Sequence, residues 1–226
     1  MSVLIEKPVI MTNFQKVRSQ TVDLCSPLEI EDYQIQPMAD ASPPKWHLAH
    51  VTWFFETFVL AKYSRNHKAF NPVYNYLFNS YYNGVGSPYP RASRGHLSRP
   101  TVAEIYEYRK IIDERVLDLL ETNSDPEIAF RVNLGLHHER QHQELMLTDV
   151  KYNFGNNPLL PSYSSKIENN IGQVLPQKWI EFKGGIAEVG AFYSNDFIFD
   201  NETPRHKVFL APFYFSSHLV TNRDFL

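Results

Sequence analysis

The chain has 226 residues, 43% of them hydrophobic and 14% aromatic, and a formal net charge of −3. This composition suffices for a packed core and excludes a disordered chain, and the charge gives no electrostatic reason to expect nucleic acid or an anionic membrane as a partner. The one cysteine, Cys25, excludes an internal disulfide framework. Because there is no signal-peptide pattern and no apolar run of membrane-spanning length, we expect a cytoplasmic protein.

The first two predicted helices differ in how much of their surface is apolar. Residues 11–25 carry apolar side chains at three- and four-residue spacing, which predicts a helix with one buried stripe that ends before Pro27. After a proline-rich connector, Lys45–Tyr63 is apolar nearly all round, which is typical of a helix in the middle of a bundle. His47 and His50 lie on this second helix.

A long connection and two more helices complete the predicted bundle. Residues 64–98 show no sustained period but contain many aromatic side chains, which indicates a packed, functional loop. Three arginines lie at or just beyond its end, namely Arg91, Arg94 and Arg99. Thr101 begins a capping-box pattern that opens the third helix, and Asp125 followed by Pro126 opens the fourth. Four helices with one long connection predict a helical bundle in residues 1–155.

The sequence changes character beyond the bundle. Residues 156–178 are predicted to be a linker, and from Trp179 onward short β-type runs surround a Gly-Gly turn. Residues 179–226 are few for an independent domain with its own core. We therefore expect them to be the truncated beginning of a second, β-containing domain.

The fourth helix carries a pattern typical of a metal site. His138 and His142 are four residues apart, so their side chains project from one helical face with Cβ atoms about 5–6 Å apart and can share one metal ion. With Glu139 they match HExxH, in which two histidines bind zinc and the glutamate activates water for peptide hydrolysis. A peptidase would need a third ligand downstream, for which Glu168 is the candidate.

A second interpretation takes the third ligand from the second helix. His50 lies among large aromatic residues, where an unpartnered polar ring would be costly. Helical bundles commonly build metal sites from side chains on facing helices, which favours a three-histidine site, with His47 as the rival of His50. Ligand type alone allows zinc, iron, copper or nickel in such a site.

Two separate parts of the chain carry a specific resemblance. The sequences SPPKWHLAHVTWFFETF and HHERQHQELMLTDVKYN resemble the N-terminal DinB-like domain of the sulfoxide synthases of ergothioneine biosynthesis, the EgtB family. The sequences FKGGIAEVG, FIFDNETPRHKVFLAPF and LVTNRDFL resemble the opening of that family's formylglycine-generating-enzyme-like domain. The implied fold is mainly α: a DinB-like four-helix bundle at 1–155, a linker at 156–178, and the truncated beginning of an α+β formylglycine-generating-enzyme-like domain at 179–226.

The resemblance also implies a reaction and a site. The reaction is that of a non-haem iron(II) oxidoreductase, which uses dioxygen to join a thiol, cysteine or γ-glutamylcysteine, to hercynine and to oxidise the sulfur to a sulfoxide. The implied iron ligands are His50, His138 and His142. Gln141 would orient the hercynine, and the candidates for binding the carboxylates of the thiol are Arg91, Arg94 and Arg99. The family's catalytic tyrosine would lie beyond Leu226, so the resemblance implies an N-terminal fragment that is inactive by itself.

Other functions fit parts of the same pattern. A DinB-like metal-dependent thiol transferase or isomerase would share the three-histidine bundle but would lack the domain that begins at Trp179. A sulfoxide synthase of ovothiol biosynthesis would couple cysteine to histidine itself. A metal-binding bundle with no enzymatic activity is the remaining alternative, and the sequence does not distinguish the two thiol substrates.

Overall fold

The computed structural model of the protein describes residues 6–165, 176–192 and 197–226. The chain divides into two compact units, Met1–Ser165 and Lys166–Leu226. Within the described residues, no helix combines the length and apolarity needed to cross a membrane.

The first unit is helical. Its helices are α1 (Lys7–Cys25), α2 (Pro44–Phe55), α3 (Ala61–Tyr63), α4 (Tyr74–Leu77), α5 (Val102–Thr122) and α6 (Pro126–Asn156). A π-helical turn, Glu56–Leu60, joins α2 to α3 without a break, so the second predicted helix is continuous to Tyr63. Short 3₁₀ segments at Ile30–Gln34 and Arg91–His96 lie in the two long connections.

The ends of the long helices follow from local sequence. The Thr101 side chain accepts a hydrogen bond from the Glu104 backbone N–H, and the Glu104 carboxylate accepts one from the Thr101 N–H, which is the predicted capping box. At the start of α6 the Asp125 carboxylate accepts from the Glu127 N–H, and Pro126 occupies the first turn, where its missing N–H needs no partner. These caps satisfy backbone groups that a helix leaves unpaired at its ends.

Helix α2 forms the centre of the bundle. All twelve of its residues are buried, and it packs against both α5 and α6, while α1 packs against α6. The predicted central position of this helix and the mainly α fold class are therefore confirmed. Because α2 is enclosed on every side, any polar side chain that it carries must find a partner within the bundle.

The first unit extends beyond α6. The Tyr163 hydroxyl donates to the Leu24 carbonyl oxygen at 2.7 Å, and its ring packs against the core. This contact keeps the chain attached to the helices as far as Ser165, within the stretch that the sequence predicted to be linker.

The described residues of the second unit form four short strands. These are β1 (Trp179–Phe182), β2 (Gly185–Val189), β3 (His206–Leu210) and β4 (Phe213–Ser216), followed by the one-turn helix α7 (Asn222–Phe225). β1 pairs antiparallel with β4, and β2 pairs antiparallel with β3. The Gly-Gly turn therefore connects strands of two different sheets, and Gly184 at φ +71° lies so close to the Leu210 carbonyl that no side chain would fit.

Candidate metal centre

Three histidines from two helices meet inside the first unit. His50 comes from α2, and His138 and His142 come from successive turns of α6. One ring nitrogen from each lies within 4.8 Å of the others, and among the residues that the structure describes this is the group whose geometry could hold a metal ion. The Nε2 atoms of His50 and His138 are 3.3 Å apart.

The ring of His50 is held in one orientation by its surroundings. Its Nδ1 lies 2.6 Å from the Phe78 carbonyl oxygen. Because a carbonyl only accepts, this contact places the proton on Nδ1 and leaves the Nε2 lone pair directed at the other histidines. Trp46 stacks on the ring at 4.6 Å and an interplanar angle of 11°, and Trp53 stacks at 5.5 Å and 21°.

His142 is supported by a second pair of polar side chains. Its Nδ1 lies 2.9 Å from Nδ1 of His47, whose Nε2 lies 3.0 Å from the Asp149 carboxylate. The same carboxylate oxygen accepts from the Ser42 N–H at 2.9 Å. His47, which the sequence left as the rival ligand, thus contacts His142 and lies outside the converging group.

Burial keeps the three rings neutral. It lowers the pKa of His138 to about 4, and it holds the pKa values of His50 and His142 well below the ordinary value, helped by the neighbouring histidines. A neutral imidazole keeps a lone pair that can bind a metal, whereas a protonated one does not. The site is therefore ready for metal binding at neutral pH.

The donor set fits a divalent transition metal. Three imidazole nitrogens without a carboxylate are a common set of protein ligands for such ions, and they leave coordination positions free for other molecules. Two of the rings have their second nitrogen hydrogen-bonded, which is the usual arrangement around a metal-bound histidine. The buried Nδ1 of His138 has no hydrogen-bond partner among the described residues.

Glu139 lies on the other side of α6 from this site. Its carboxylate is completely buried and accepts hydrogen bonds from Arg18 at 2.8 Å, from Arg109 at 2.5 Å and from the Thr21 hydroxyl at 2.5 Å. Burial opposes the charge, but Arg109 and Arg18 lower the pKa of Glu139 to about 2. These partners come from α1 and α5 and hold the carboxylate on the side of α6 away from the histidines, so the peptidase interpretation of HExxH, in which this glutamate activates water at the metal, is wrong. The third ligand considered for that interpretation, Glu168, lies outside the described residues.

The three arginines of the loop have different environments. Arg94 is buried over the ring of Trp46 at 3.3 Å, and its two terminal nitrogens donate to the hydroxyls of Ser42 and Ser80. Arg94 thus continues the stack that begins at His50. Arg91 is exposed and donates to the Tyr81 hydroxyl and the Asp40 carbonyl oxygen.

Arg91 and Arg94 are close enough to the histidines for their charges to lower the pKa of His47. Arg99 is exposed and donates to the carbonyl oxygen of its neighbour Ser98. The pKa of Lys45 is lowered mainly by burial of Lys45 and, to a smaller extent, by the charge of Arg99. Gln141 is exposed on α6, one residue before His142. The structure therefore brings Arg91 and Arg94 near His47, which contacts His142, while Gln141 is the chain neighbour of His142.

Sequence reasoning did not identify several groups around the site. Asp149 lies seven residues after His142, on the same face of α6, and this spacing was a usable signal. Trp46 lies four residues before His50 on the same helix, a spacing that places the two rings next to each other, whereas the Phe78 carbonyl had no signal because it is a main-chain group from another segment.

These features define a helical-bundle protein with a three-histidine group that could hold a metal ion. A sequence profile of the DinB superfamily matches residues 13–146, more than half of the chain, and the chain belongs to that superfamily. It is 26% identical over 213 residues to a protein of Mycolicibacterium thermoresistibile named hercynine oxygenase. That match covers 92% of this chain and 45% of the relative, so the chain spans less than half the length of the relative.

Proposed function

We propose that this chain carries the iron site of a sulfoxide synthase of the EgtB type, which joins cysteine or γ-glutamylcysteine to hercynine with dioxygen as the oxidant. The observation that carries the proposal is the convergence of His50, His138 and His142 within 4.8 Å. The similarity to a protein named hercynine oxygenase supports hercynine as the substrate.

The extent of that similarity favours this function over a DinB-like thiol transferase or isomerase. A match of 213 residues in a chain of 226 includes strands of the second unit as well as the bundle. A bundle-only enzyme would have no counterpart for these strands. We accordingly propose the division into an iron-binding domain at 1–155, a linker at 156–178 and the beginning of a formylglycine-generating-enzyme-like domain at 179–226.

The side chains have separate tasks in this proposal. His50, His138 and His142 hold the metal, and bound iron(II) supplies electrons to dioxygen and positions for the substrates. Gln141, beside the last ligand, orients the imidazole of hercynine by hydrogen bonding. Arg91 offers an exposed guanidinium for a carboxylate of the thiol, while the buried Arg94 holds Trp46 against His50 and adds positive charge next to the site. Arg99 is the remaining candidate for a second carboxylate.

Metal binding by the purified chain tests the first part of the proposal. We expect one iron(II) per chain under anaerobic conditions, and we expect single replacements of His50, His138 or His142 by alanine to abolish stoichiometric binding. The matched control is His67→Ala, which removes another partly buried ring that lies 3.7 Å from the Glu56 carboxylate, outside the group. Equal metal content in the control and the three variants would overturn the assignment.

Substrate binding tests the second part. Calorimetry on the iron-loaded chain compares hercynine with histidine. Mass spectrometry then searches for a sulfoxide after addition of oxygen and either thiol, and we expect none from this chain by itself. We expect hercynine to bind more tightly than histidine, with Gln141→Ala weakening hercynine binding but not iron binding. Tighter binding of histidine would favour the ovothiol-type reaction, and metal-dependent thiol transfer without oxygen would favour the transferase.

A further inference from the structure

We propose that His47 and Asp149 are positioning residues that hold His142 in the tautomer able to bind metal. This inference rests on the proposed metal centre, because it concerns how one of its three ligands is prepared. Neither residue belongs to the converging group, and His47 contacts Nδ1 of His142 and is itself in contact with Asp149.

The direction of each hydrogen bond follows from the Asp149 carboxylate, at which the series of contacts ends. A carboxylate only accepts, so the 3.0 Å contact with Asp149 requires the proton of His47 to be on Nε2. The neutral ring of His47 then has its lone pair on Nδ1. The 2.9 Å contact between the two Nδ1 atoms therefore requires His142 to donate from its Nδ1, which leaves the Nε2 lone pair of His142 for the metal.

The position of the two residues allows little freedom. His47 is 3% exposed, and Trp46 meets its ring edge-to-face at 5.8 Å. Asp149 is anchored a second time by the backbone N–H of Ser42, which is itself buried. His47 belongs to α2, whereas Asp149 and His142 belong to α6, so the contacts also join the two helices that supply all three metal ligands.

The same function is served at His50 by a main-chain group. The Phe78 carbonyl fixes the His50 tautomer without help from another side chain. For His142, no described carbonyl accepts from Nδ1. The imidazole of His47, hydrogen-bonded to the Asp149 carboxylate, takes that role instead. Partners of this kind raise the basicity of a metal-binding histidine, and their loss typically weakens metal affinity about 10–100-fold.

Nuclear magnetic resonance of the metal-free chain tests the tautomer directly. Long-range proton–nitrogen correlations of ¹⁵N-histidine distinguish the Nδ1–H form from the Nε2–H form. We expect His142 to be Nδ1–H in the wild-type chain and a mixture in His47→Leu and Asp149→Leu. His47→Asn should restore the Nδ1–H form, because its side-chain oxygen occupies the place of the imidazole Nδ1 and accepts from His142.

Metal affinity provides the second measurement. Competition between the chain and a chromophoric chelator for cobalt(II) and iron(II) gives dissociation constants without any activity assay. We expect about 10–100-fold weaker binding in His47→Leu, most of it recovered in His47→Asn. His67→Leu, which removes an imidazole near a carboxylate elsewhere in the bundle, should leave affinity unchanged.

The outcomes separate the inference from the function on which it rests. A wild-type chain that binds no metal overturns the proposed function. A wild-type chain that binds metal, with an unchanged His142 tautomer and unchanged affinity in His47→Leu, overturns this inference alone. If His47→Leu does not fold, as judged by circular dichroism, Asp149→Leu and His47→Asn decide the same question. Asp149→Leu changes a side chain that is partly exposed, and His47→Asn keeps an acceptor for the Nδ1–H of His142.

Discussion

His138 and Glu139 are neighbours on α6 whose side chains face different sides of the helix. Successive residues on a helix are rotated by about 100°, so His138 faces α2 and the metal site while Glu139 faces α1 and α5. There it binds Arg18 and Arg109 in a buried ionic cluster that also includes Asp113. Such a cluster is stable only when it is complete, because each remaining charge would otherwise be buried without compensation.

Replacing Glu139 should therefore affect stability. We expect Glu139→Gln to lower the free energy of unfolding by about 3–5 kcal/mol, since the buried Arg109 loses its counter-charge and Arg18 keeps only Asp113. Urea denaturation followed by circular dichroism measures the change. Glu144→Gln is the control, because Glu144 is an exposed glutamate on the same helix and its loss should change stability by less than about 0.5 kcal/mol. Equal stability of the two variants would contradict the ionic role.

The buried histidines and Glu139 predict two steps of acid destabilisation in the metal-free chain. The pKa of His138 falls from 6.5 to about 4 in the folded state, so the unfolded state binds more protons between those values. The contribution of neutral His138 to the free energy of unfolding is fully present above pH 6.5 and declines as the pH falls towards 4. The pKa of Glu139 falls from 4.5 to about 2, which adds a second decline between those values.

Urea denaturation at a series of pH values measures this profile. His138→Gln should make the upper decline smaller, because His50 and His142 still contribute to it, and should leave the lower one unchanged. Stability that increases on acidification from pH 6.5 to 4 would contradict the buried, neutral state of the histidines.

At the scale of elements, the spacing of α2 and α6 depends on one glycine. A Cβ at Gly135 would lie 2.5 Å from Cε1 of Phe55 and 3.0 Å from Cε1 of Phe54. Both rings belong to α2, and Phe54 also packs on His138 with ring centroids 4.8 Å apart. The absence of a side chain at Gly135 lets the two helices approach closely enough for their histidines to meet.

Gly135→Ala should separate these helices. We expect a loss of about 1–3 kcal/mol in the free energy of unfolding, because aromatic rings in a packed core must move, together with weaker metal binding. Gly155→Ala is the matched control on the same helix, where an added Cβ meets nothing within 4 Å. That variant should be as stable as the wild type or more stable by up to about 1 kcal/mol, as expected for alanine in a helix. A destabilised Gly155→Ala with an unaffected Gly135→Ala would contradict this account.

At the scale of the whole molecule, the three-histidine group belongs to one unit. The three histidines and the hydrogen-bond partners of His50 and His142 all lie within Met1–Ser165, which has its own hydrophobic core. The described strands of the second unit contribute no residue to the three-histidine group. We therefore expect metal binding to require the first unit alone.

A chain of residues 1–165 should bind metal as the longer chain does. We expect equal dissociation constants for cobalt(II), measured by chelator competition, because no ligand and none of these hydrogen-bond partners is removed. The control is the same short chain with His50→Ala, which should not bind. A short chain that folds, as judged by circular dichroism, but binds at least 10-fold more weakly would show that the second unit contributes to the site.

The sequence by itself determined the long helices, their capped starts and the adjacency of His138 and His142. These features depend on interactions between residues within four positions of each other, which any segment carries with it. The all-round apolar character of the second helix likewise placed it at the centre of the bundle before any contact was known.

Only the tertiary structure decided between His47 and His50. The two lie three residues apart on α2 and can both face α6, so which ring joins the converging group depends on the rotation and spacing of the two helices. The same packing buried Arg94 against Trp46 and placed the Glu139 carboxylate in a cluster of buried ion pairs. Helical periodicity specifies which side chains share a face, but the partner that covers this face comes from a distant segment, and its identity depends on the packing of the whole bundle.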